Sequence, residues 1–600
     1  MSRSRKAPAI TQRLQQAARA ALTERRPAGA ATATPPPGPT SAPGTTPSPE
    51  RTAPPACAVR APNSPVPPLE LTVAVAAGPR LSEVLAPEWI QRPLGPDTWR
   101  EDITGVDLLL LEGVGGSVPG WGDGSALVEM LTAAKGASLA TVLWVTDDDA
   151  PGEWAADVTT IGASSTRTVD GLIAAGRAAH HWQPAAQPRT CGLARDDDTT
   201  TRRSGALVVV DGLSRLGDDS SLRLLADALQ PMPKAQTTVV QLPGASSVTL
   251  PPALTKRISP GELADASVLV DLSATSPAGA WTSVAAAAAQ TPVVGTPDTA
   301  DVPDAVNALV PRVDEPKGLR SEIVARVHQQ ELVAREGLRL QRTVLAGHTG
   351  AHRARELAGA AGLTVPAITP PTISAVVPTN RAHELDNVFA NLGRQDHAAL
   401  ELVLVLHGLD TDDADLRRRA TRAGVRDVQI IHADASLTLG ACMNLGVDAA
   451  AGQYIAKMDD DNIYGEHYFS DLLAAFSYTD AGIVGKWAHY VWLRATGAVV
   501  LRYPDAEHRY ERRIQGGSML FAGDVARQVR FSDIPRAVDS DILDRSMAEG
   551  VRVYSGDRYN YVSLRGDDRH SHTWTVTDST FLTAAGHLLF YGDPTTHVSL

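Results

Sequence analysis

From residue 372 onward, short apolar runs alternate with longer stretches in which apolar positions recur every three or four residues. "TISAVVPT" (372–379) predicts a strand and "AHELDNVFANLGRQ" (382–395) an amphipathic helix. "LELVLVLHG" (400–408) predicts a second strand, 412–423 a helix, "VQIIH" (428–432) a third strand and 437–451 a further helix. A fourth strand, 454–458, runs into three consecutive carboxylates, Asp459, Asp460 and Asp461. Alternating strands and helices predict a doubly wound α/β unit with a largely parallel sheet. Ligands of such sheets collect at the carboxyl ends of the strands, which is where these acids stand.

The same alternation runs through residues 70–362. Strands are expected at 71–76, 106–111, 140–145, 207–210, 237–241, 267–271 and 292–294, with helices at 124–134, 220–229 and 281–290 between them. A break near 190–205 divides this region into two lobes. Residues 320–362 read as charged amphipathic helix, and prolines at 366, 370 and 371 mark a boundary. Residues 27–68 are dominated by Pro, Ala, Thr and Ser and bury too little apolar surface to fold. The expected organisation is a disordered region over 1–68, an α/β domain over 70–362 and a second α/β domain over 372–600.

Six hundred residues exceed a single core, in agreement with two folded domains. A net charge of −13 argues against a nucleic-acid partner. No apolar run approaches the roughly 20 residues that span a bilayer. The first residues are basic without a continuous apolar segment, which is not a secretory pattern. Three scattered cysteines build neither a disulfide framework nor a metal motif. A cytoplasmic protein is expected. Residues 9–25 are the segment suited to peripheral contact with the inner face of the membrane, although a solvated helix is the simpler reading.

Clustered carboxylates after a strand suit a hard divalent cation that bridges to phosphates. Two other Asp triplets, at 147–149 and 196–198, lack the surroundings of the third. "VVPTNR" (376–381) ends its strand with Pro378, Thr379, Asn380 and Arg381, a turn able to receive a nucleotide. Gly516 and Gly517 stand beside a strand and allow close approach of backbone to ligand. "VDSDILDRSMAEGVRVY" (538–554) opens a helix with Asp539 and Asp541, placed to be stabilised as anions by the helix dipole. One of them, near a substrate hydroxyl, suits a general base.

These residues carry a resemblance. Residues 372–575 resemble a glycosyltransferase family 2 domain of the GT-A fold, through Pro378-Thr379, Asn444, Gly446, Ala450, Gly452, the Asp triplet, Gly516-Gly517 and the "VDSDILDR" helix that runs to Gly550. The resemblance implies an inverting transfer of a sugar from a nucleotide-diphospho-sugar donor to a hydroxyl of a cell-surface polysaccharide, lipid-linked or protein acceptor. It places Asp459 on the donor and Asp461 on Mg²⁺ or Mn²⁺, with Asp459 as a second ligand. Asp460, Asn444 and the 378–381 turn join the donor site, Asp539 takes the position of the base and Arg545 that of the helix arginine. In "RGDDRHSHTW" (565–574), His572, with His570 beside it, is the candidate to complete the metal shell.

Two positions depart from the pattern. Leu406, His407 and Gly408 replace the acidic turn that reads the nucleotide base, and His407 is expected to be structural. Val538 replaces the glutamate before the base, which makes Asp541 the substitute candidate.

Residues 70–362 resemble the two-lobed GT-B-type domain of CgeB-like glycosyltransferases through "APEWIQRPLGPDTWREDI", "VDLLLLEG", "TVLWVTDDD" and "VLAGHTGAHRARELAGAAGL". "SVAAAAAQTPVVGTP" lacks an acidic grip for a donor ribose, which implies a degenerate, non-catalytic module binding acceptor or partner. Two alternatives stay open: a nucleotidyltransferase, for which only Arg381 offers a basic loop, and a catalytically inactive glycosyltransferase-like scaffold.

Overall fold

A computed structural model describes residues 61–600, apart from 123, 192, 195–204, 211–219, 230–236, 242–252, 255–259, 272–276, 298–300, 567–577 and 584. Most of the expected N-terminal linker lies outside the described residues. Its last part does not hang free. Ala61 is buried, Asn63 Nδ2 donates to Ala481 O at 2.8 Å, and Tyr454 Oη donates to Asn63 O at 2.6 Å.

The first α/β region builds two parallel sheets. One has six strands, in the spatial order Ile90–Pro93, Thr72–Ala76, Leu108–Gly113, Ala140–Val145, Thr160–Ala163 and His180–His181. The other has five, ordered Val293–Gly295, Val268–Asp271, Ala206–Val210, Thr237–Gln241 and Ala253–Leu254. The seven strands expected from apolar runs are present with small shifts of their ends. Ile90–Pro93 and His180–His181 escaped because they are polar edge strands. Residues 320–362 fall on three helices, Pro316–His328, Gln330–Gly347 and Gly350–Ala360. His348 and Thr349 separate the last two.

The last region is built on an eight-stranded sheet. Its parallel half runs Asp427–Ala433, Leu400–His407, Ile373–Thr379 and Tyr454–Met458, followed by the antiparallel Ser518–Ala522. Ala481–Gly485, Arg552–Ser555 and Arg509–Tyr510 complete it. The alternation of side chains along each strand divides the core in two. Ile373, Ala375, Val377, Leu402, Leu404 and Leu406 pack on one face, and Val376, Val403 and Val405 on the other. The chain order steps outward from Ile373–Thr379 in both directions, so the ends of that strand and of Tyr454–Met458 flank a topological switch point. A second sheet of five strands, Ile463–Tyr464, Tyr561–Arg565, His489–Leu493, Ala498–Arg502 and Gly586–Tyr591, stands beside it.

The helix Gln330–Gly347 ties the two regions together. Arg342 grips the buried Asp471 through Nε and Nη2 at 2.7 and 2.8 Å. Leu338 packs with Tyr490, Val499 and Tyr559 of the last region.

Candidate active site

The strand Tyr454–Met458 is buried along its whole length, yet it carries a lysine. Lys457 is 2% exposed and lies between Val376 and Met519 in the sheet. Its ammonium leaves the strand at the switch point and meets three acceptors. Nζ donates to Asp459 Oδ1 at 2.6 Å and to Gly516 O at 3.1 Å, and stands 3.4 Å from Asp539 Oδ1. Burial by itself pulls the ammonium toward neutrality. The charges of Asp459 and Asp539 outweigh it and hold the lysine above its ordinary range. A single buried cation thus joins the first acid of the triplet to the helix Val538–Ala548.

The two glycines make the same junction possible. A Cβ on Gly516 would lie 2.1 Å from Asp539 Oδ2, and one on Gly517 would lie 2.5 Å from Asp459 Oδ2. Any side chain there would displace a carboxylate. Tyr464 fixes the turn from below: its hydroxyl accepts from Asp459 N at 2.9 Å and donates to Gly517 O at 2.7 Å. Asn462 adds a hydrogen bond from Nδ2 to Tyr561 Oη at 3.0 Å and accepts from Leu564 N at 3.1 Å, reaching across to the second sheet.

The three acids of the triplet play different parts. Asp460 is buried and points back to the neighbouring strand end, accepting from Thr379 Oγ1 at 2.5 Å and pairing with Arg381. Arg381 also reaches Asp461, at 2.9 Å. Asp459 and Asp461 face a cleft of about 730 Å³, in the size range of small-molecule sites. Burial pushes the Asp461 carboxyl up to about 6. Arg381 pulls against that rise, while the charges of Asp459 and Asp460 add to it. The cleft is walled by Gly516 and Gly517, by Arg536 to Ser540 at the start of the acid-bearing helix, and by the second sheet through His489, Arg502, Ser563 and Arg565.

Several expected site residues stand elsewhere. Asn444 uses its amide on the loop after Val529, with Nδ2 donating to Phe531 O and Oδ1 accepting from Phe531 N. Arg545 pairs with Asp541 at 2.9 Å and donates to Val529 O and Arg530 O. Asp541, Arg545 and Asn444 do not line the cleft, because their side chains turn to the segment after Val529 and to one another. Pro378, Thr379, Asn380 and Arg381 are absent from the cleft lining, and Thr379 and Arg381 meet the triplet through Asp460 and Asp461. His407 is half-buried at its strand end and absent from the cleft lining. His570 and His572 lie outside the described residues.

Sequence reading missed Lys457, Tyr464, Asn462 and the aromatic wall formed by Trp487 and Tyr503, whose rings stack 4.2 Å apart at 11°. Lys457 did leave a signal, as the one charge inside an otherwise apolar strand. The aromatic pair left none, since 16 residues separate its members.

Fold and site together define an α/β domain with an acid-lined cleft at the carboxyl ends of its parallel strands. Residues 374–534 match the model of Glycosyl transferase family 2. No curated protein matches the chain significantly. Solved structures similar to it include the mannosyltransferase PcManGT from Pyrobaculum calidifontis in complex with GDP-Man and Mn²⁺, 17% identical over 32% of this chain and 56% of that one, TM-score 0.26. S. aureus TarS 1-349 in complex with UDP-GlcNAc is 14% identical over 35% of this chain and 63% of its own, TM-score 0.27. GalNAc-T7 with UDP, GalNAc and Mn²⁺ is 12% identical over 32% and 44%, TM-score 0.27. The chain therefore spans less than two thirds of each. Among the described residues, no helix is long and apolar enough to cross a membrane.

Proposed function

We propose that the protein is a metal-dependent glycosyltransferase that moves a sugar, with inversion, from a nucleotide-diphospho-sugar to a hydroxyl of a polysaccharide, lipid-linked or protein acceptor. The observation that carries this reading is the convergence of Asp459, Asp461 and Asp539 on one cleft within the segment that matches the family model.

Among the described residues no three His, Cys, Asp or Glu side chains form a ready-made cation cage. Two carboxylates at the cleft wall fit a cation of the Mg²⁺ or Mn²⁺ type, which takes one or two protein carboxylates and completes its shell with water and substrate phosphates. Asp461, crowded by like charge and largely buried, is the side chain that gains most from such a partner. Asp459 is the second ligand. Bound there, the cation supplies charge neutralisation to the departing diphosphate.

The chain's own residues do the rest. Asp539 accepts the proton of the attacking hydroxyl at its carboxylate, and Lys457 holds it beside the donor-binding turn. Asp460, through Thr379 and Arg381, fixes the first strand end against the triplet. Residues 70–362 serve as a non-catalytic, GT-B-like module for acceptor or partner, docked through Arg342. The cytoplasm is the compartment proposed.

The test is hydrolysis of a panel of sugar nucleotides with Mn²⁺ and no acceptor, by wild type and Asp461→Ala. Slow cleavage of one donor that disappears in the variant supports the enzyme and names the sugar. Silence across the panel, with no Mn²⁺-dependent thermal shift, supports the inactive scaffold.

A further inference from the structure

We propose that the acceptor is a neutral glycan, one ring of which lies on the aromatic wall of Trp487 and Tyr503 with a hydroxyl on His489 Nε2. This deepens the glycosyltransferase reading and rests on it.

Trp487 and Tyr503 line the cleft, half-buried, with their rings stacked 4.2 Å apart at 11°. The Arg502 guanidinium lies 4.6 Å over the Tyr503 ring and 5.0 Å over that of Phe581, which braces the stack. Tyr503 is held at φ +48°, in the left-handed region that a bulky residue rarely adopts. Strain of this kind persists only where the surroundings enforce it, and it gathers at binding sites. Rigid ring surface of this kind offers contact area at low entropic cost, which suits the C–H face of a sugar.

The same wall carries hydrogen-bonding groups that the protein does not use. His489, 1% exposed, lines the cleft with Nδ1 2.7 Å from Trp487 O. A carbonyl only accepts, so Nδ1 carries the proton and Nε2 is left as an acceptor. Burial keeps the ring neutral. Among the described residues neither His489 Nε2 nor Trp487 Nε1 has a hydrogen-bond partner. A buried acceptor left without a donor is costly, and a ligand hydroxyl removes that cost. One acceptor, one donor and an apolar ring face match a polyol ring.

The charges around the wall are largely spent within the protein. Arg513 is held by Asp544 in two bonds of 2.8 Å, Arg565 faces Asp578, Lys486 pairs with Asp557, and Arg502 donates to Tyr503 Oη. Arg536 stands exposed on the loop before the helix of Asp539, where salt screens it. The wall therefore favours an uncharged ligand. It also adjoins the proposed base. Lys486 O accepts from Gln515 N at 2.9 Å, and Gly516, the next residue, backs directly onto Asp539. A sugar on Trp487 thus lies on the side of the cleft from which Asp539 receives a hydroxyl.

The full chain is titrated with maltohexaose, cellohexaose, mannohexaose and chitohexaose, and with oligogalacturonate as the charged control. At least one neutral probe is expected to bind about tenfold more tightly than the control, at low and at physiological salt alike. Trp487→Ala is expected to weaken that binding at least about tenfold, and Trp487→Phe, which keeps a ring, by much less. His489→Phe keeps the volume, removes the acceptor and is expected to weaken it about fivefold. Circular dichroism checks that each variant is folded, and if Trp487→Ala is not, His489→Phe carries the test. With Mn²⁺ and the donor found by the hydrolysis panel, elongation of the bound probe, or its persistence beside the donor, supports the proposal. Displacement by the donor without elongation assigns the wall to the transferred sugar and overturns it. So does no binding of any neutral probe, equal or tighter binding of oligogalacturonate, or an affinity that the folded variants leave untouched. Donor hydrolysis by the wild type, measured separately, tells this failure from failure of the enzyme reading.

Discussion

The α-carbon of Gly516 lies so close to the carboxylate of Asp539 that a methyl group on it would come within 2.1 Å of Oδ2. Gly517 stands in the same relation to Asp459 at 2.5 Å. Neither glycine has a positive φ, so alanine strains no backbone and acts only through this contact. Each variant isolates the position of one acid. Displacing a reacting group by about 1 Å costs roughly a hundredfold in rate. Gly516→Ala and Gly517→Ala are each expected to lose about that much donor turnover while the protein stays folded. Turnover within twofold of wild type would remove these acids from the mechanism.

Lys457 offsets two carboxylates from inside the sheet. Lys457→Met leaves Asp459 and Asp539 facing each other without a cation. Breaking a buried pair this way costs about 3–5 kcal/mol. Because both acids are more than a third exposed, the lower end is expected, read as a shift in the denaturant midpoint. Adding Asp459→Asn to Lys457→Met should recover part of the loss. A double variant no more stable than the single one would show that packing of the lysine stem, rather than its charge, matters.

Arg342→Ala is expected to weaken the docking of Gln330–Gly347, because it strands the buried carboxylate of Asp471. Loss of one partner from such a pair costs on the order of 3 kcal/mol, whereas replacing both by apolar groups is close to neutral. Arg342→Met with Asp471→Leu should therefore be more stable than Arg342→Ala alone. Chemical denaturation followed at two probes, one in each α/β region, checks this. Two separated transitions in Arg342→Ala would show that the pair couples the regions.

His489 lies in the cleft wall, fully buried, with Nδ1 2.7 Å from Trp487 O. Burial pushes its imidazole down to about 4, against an ordinary value near 6.5. The folded state therefore binds fewer protons than the unfolded state between those values. The stability this provides is complete above pH 6.5 and is lost as the pH falls through 4. The full loss is about 3 kcal/mol. His348 and His352 are depressed to about 4 in the same way, so the difference between wild type and His489→Gln isolates the one residue. Between pH 7.5 and 5 wild type should lose more stability than the variant. Parallel curves would contradict a buried neutral His489.

The sequence by itself determined the alternation of strands and helices from 372 to 458, including the strand Tyr454–Met458 at its observed bounds. It also placed the Asp triplet at a strand end and Asp539 at a helix start. These are local matters: apolar runs, period-two and period-3.6 patterns and the breaks between them fix them within a few residues. Tertiary structure decided how the acids divide their work. Asp460 turns inward to Thr379 while Asp459 and Asp461 face the cleft, a difference three identical neighbours cannot express in sequence. Asn444, Asp541 and Arg545 matched a pattern, yet packing put their side chains on the loop after Val529. Lys457, the Trp487–Tyr503 stack and the helix of Asp539 come from segments tens of residues apart. Their meeting depends on a sheet order that steps outward in both directions from Ile373–Thr379, and on a second sheet closing over the cleft, which no local pattern encodes.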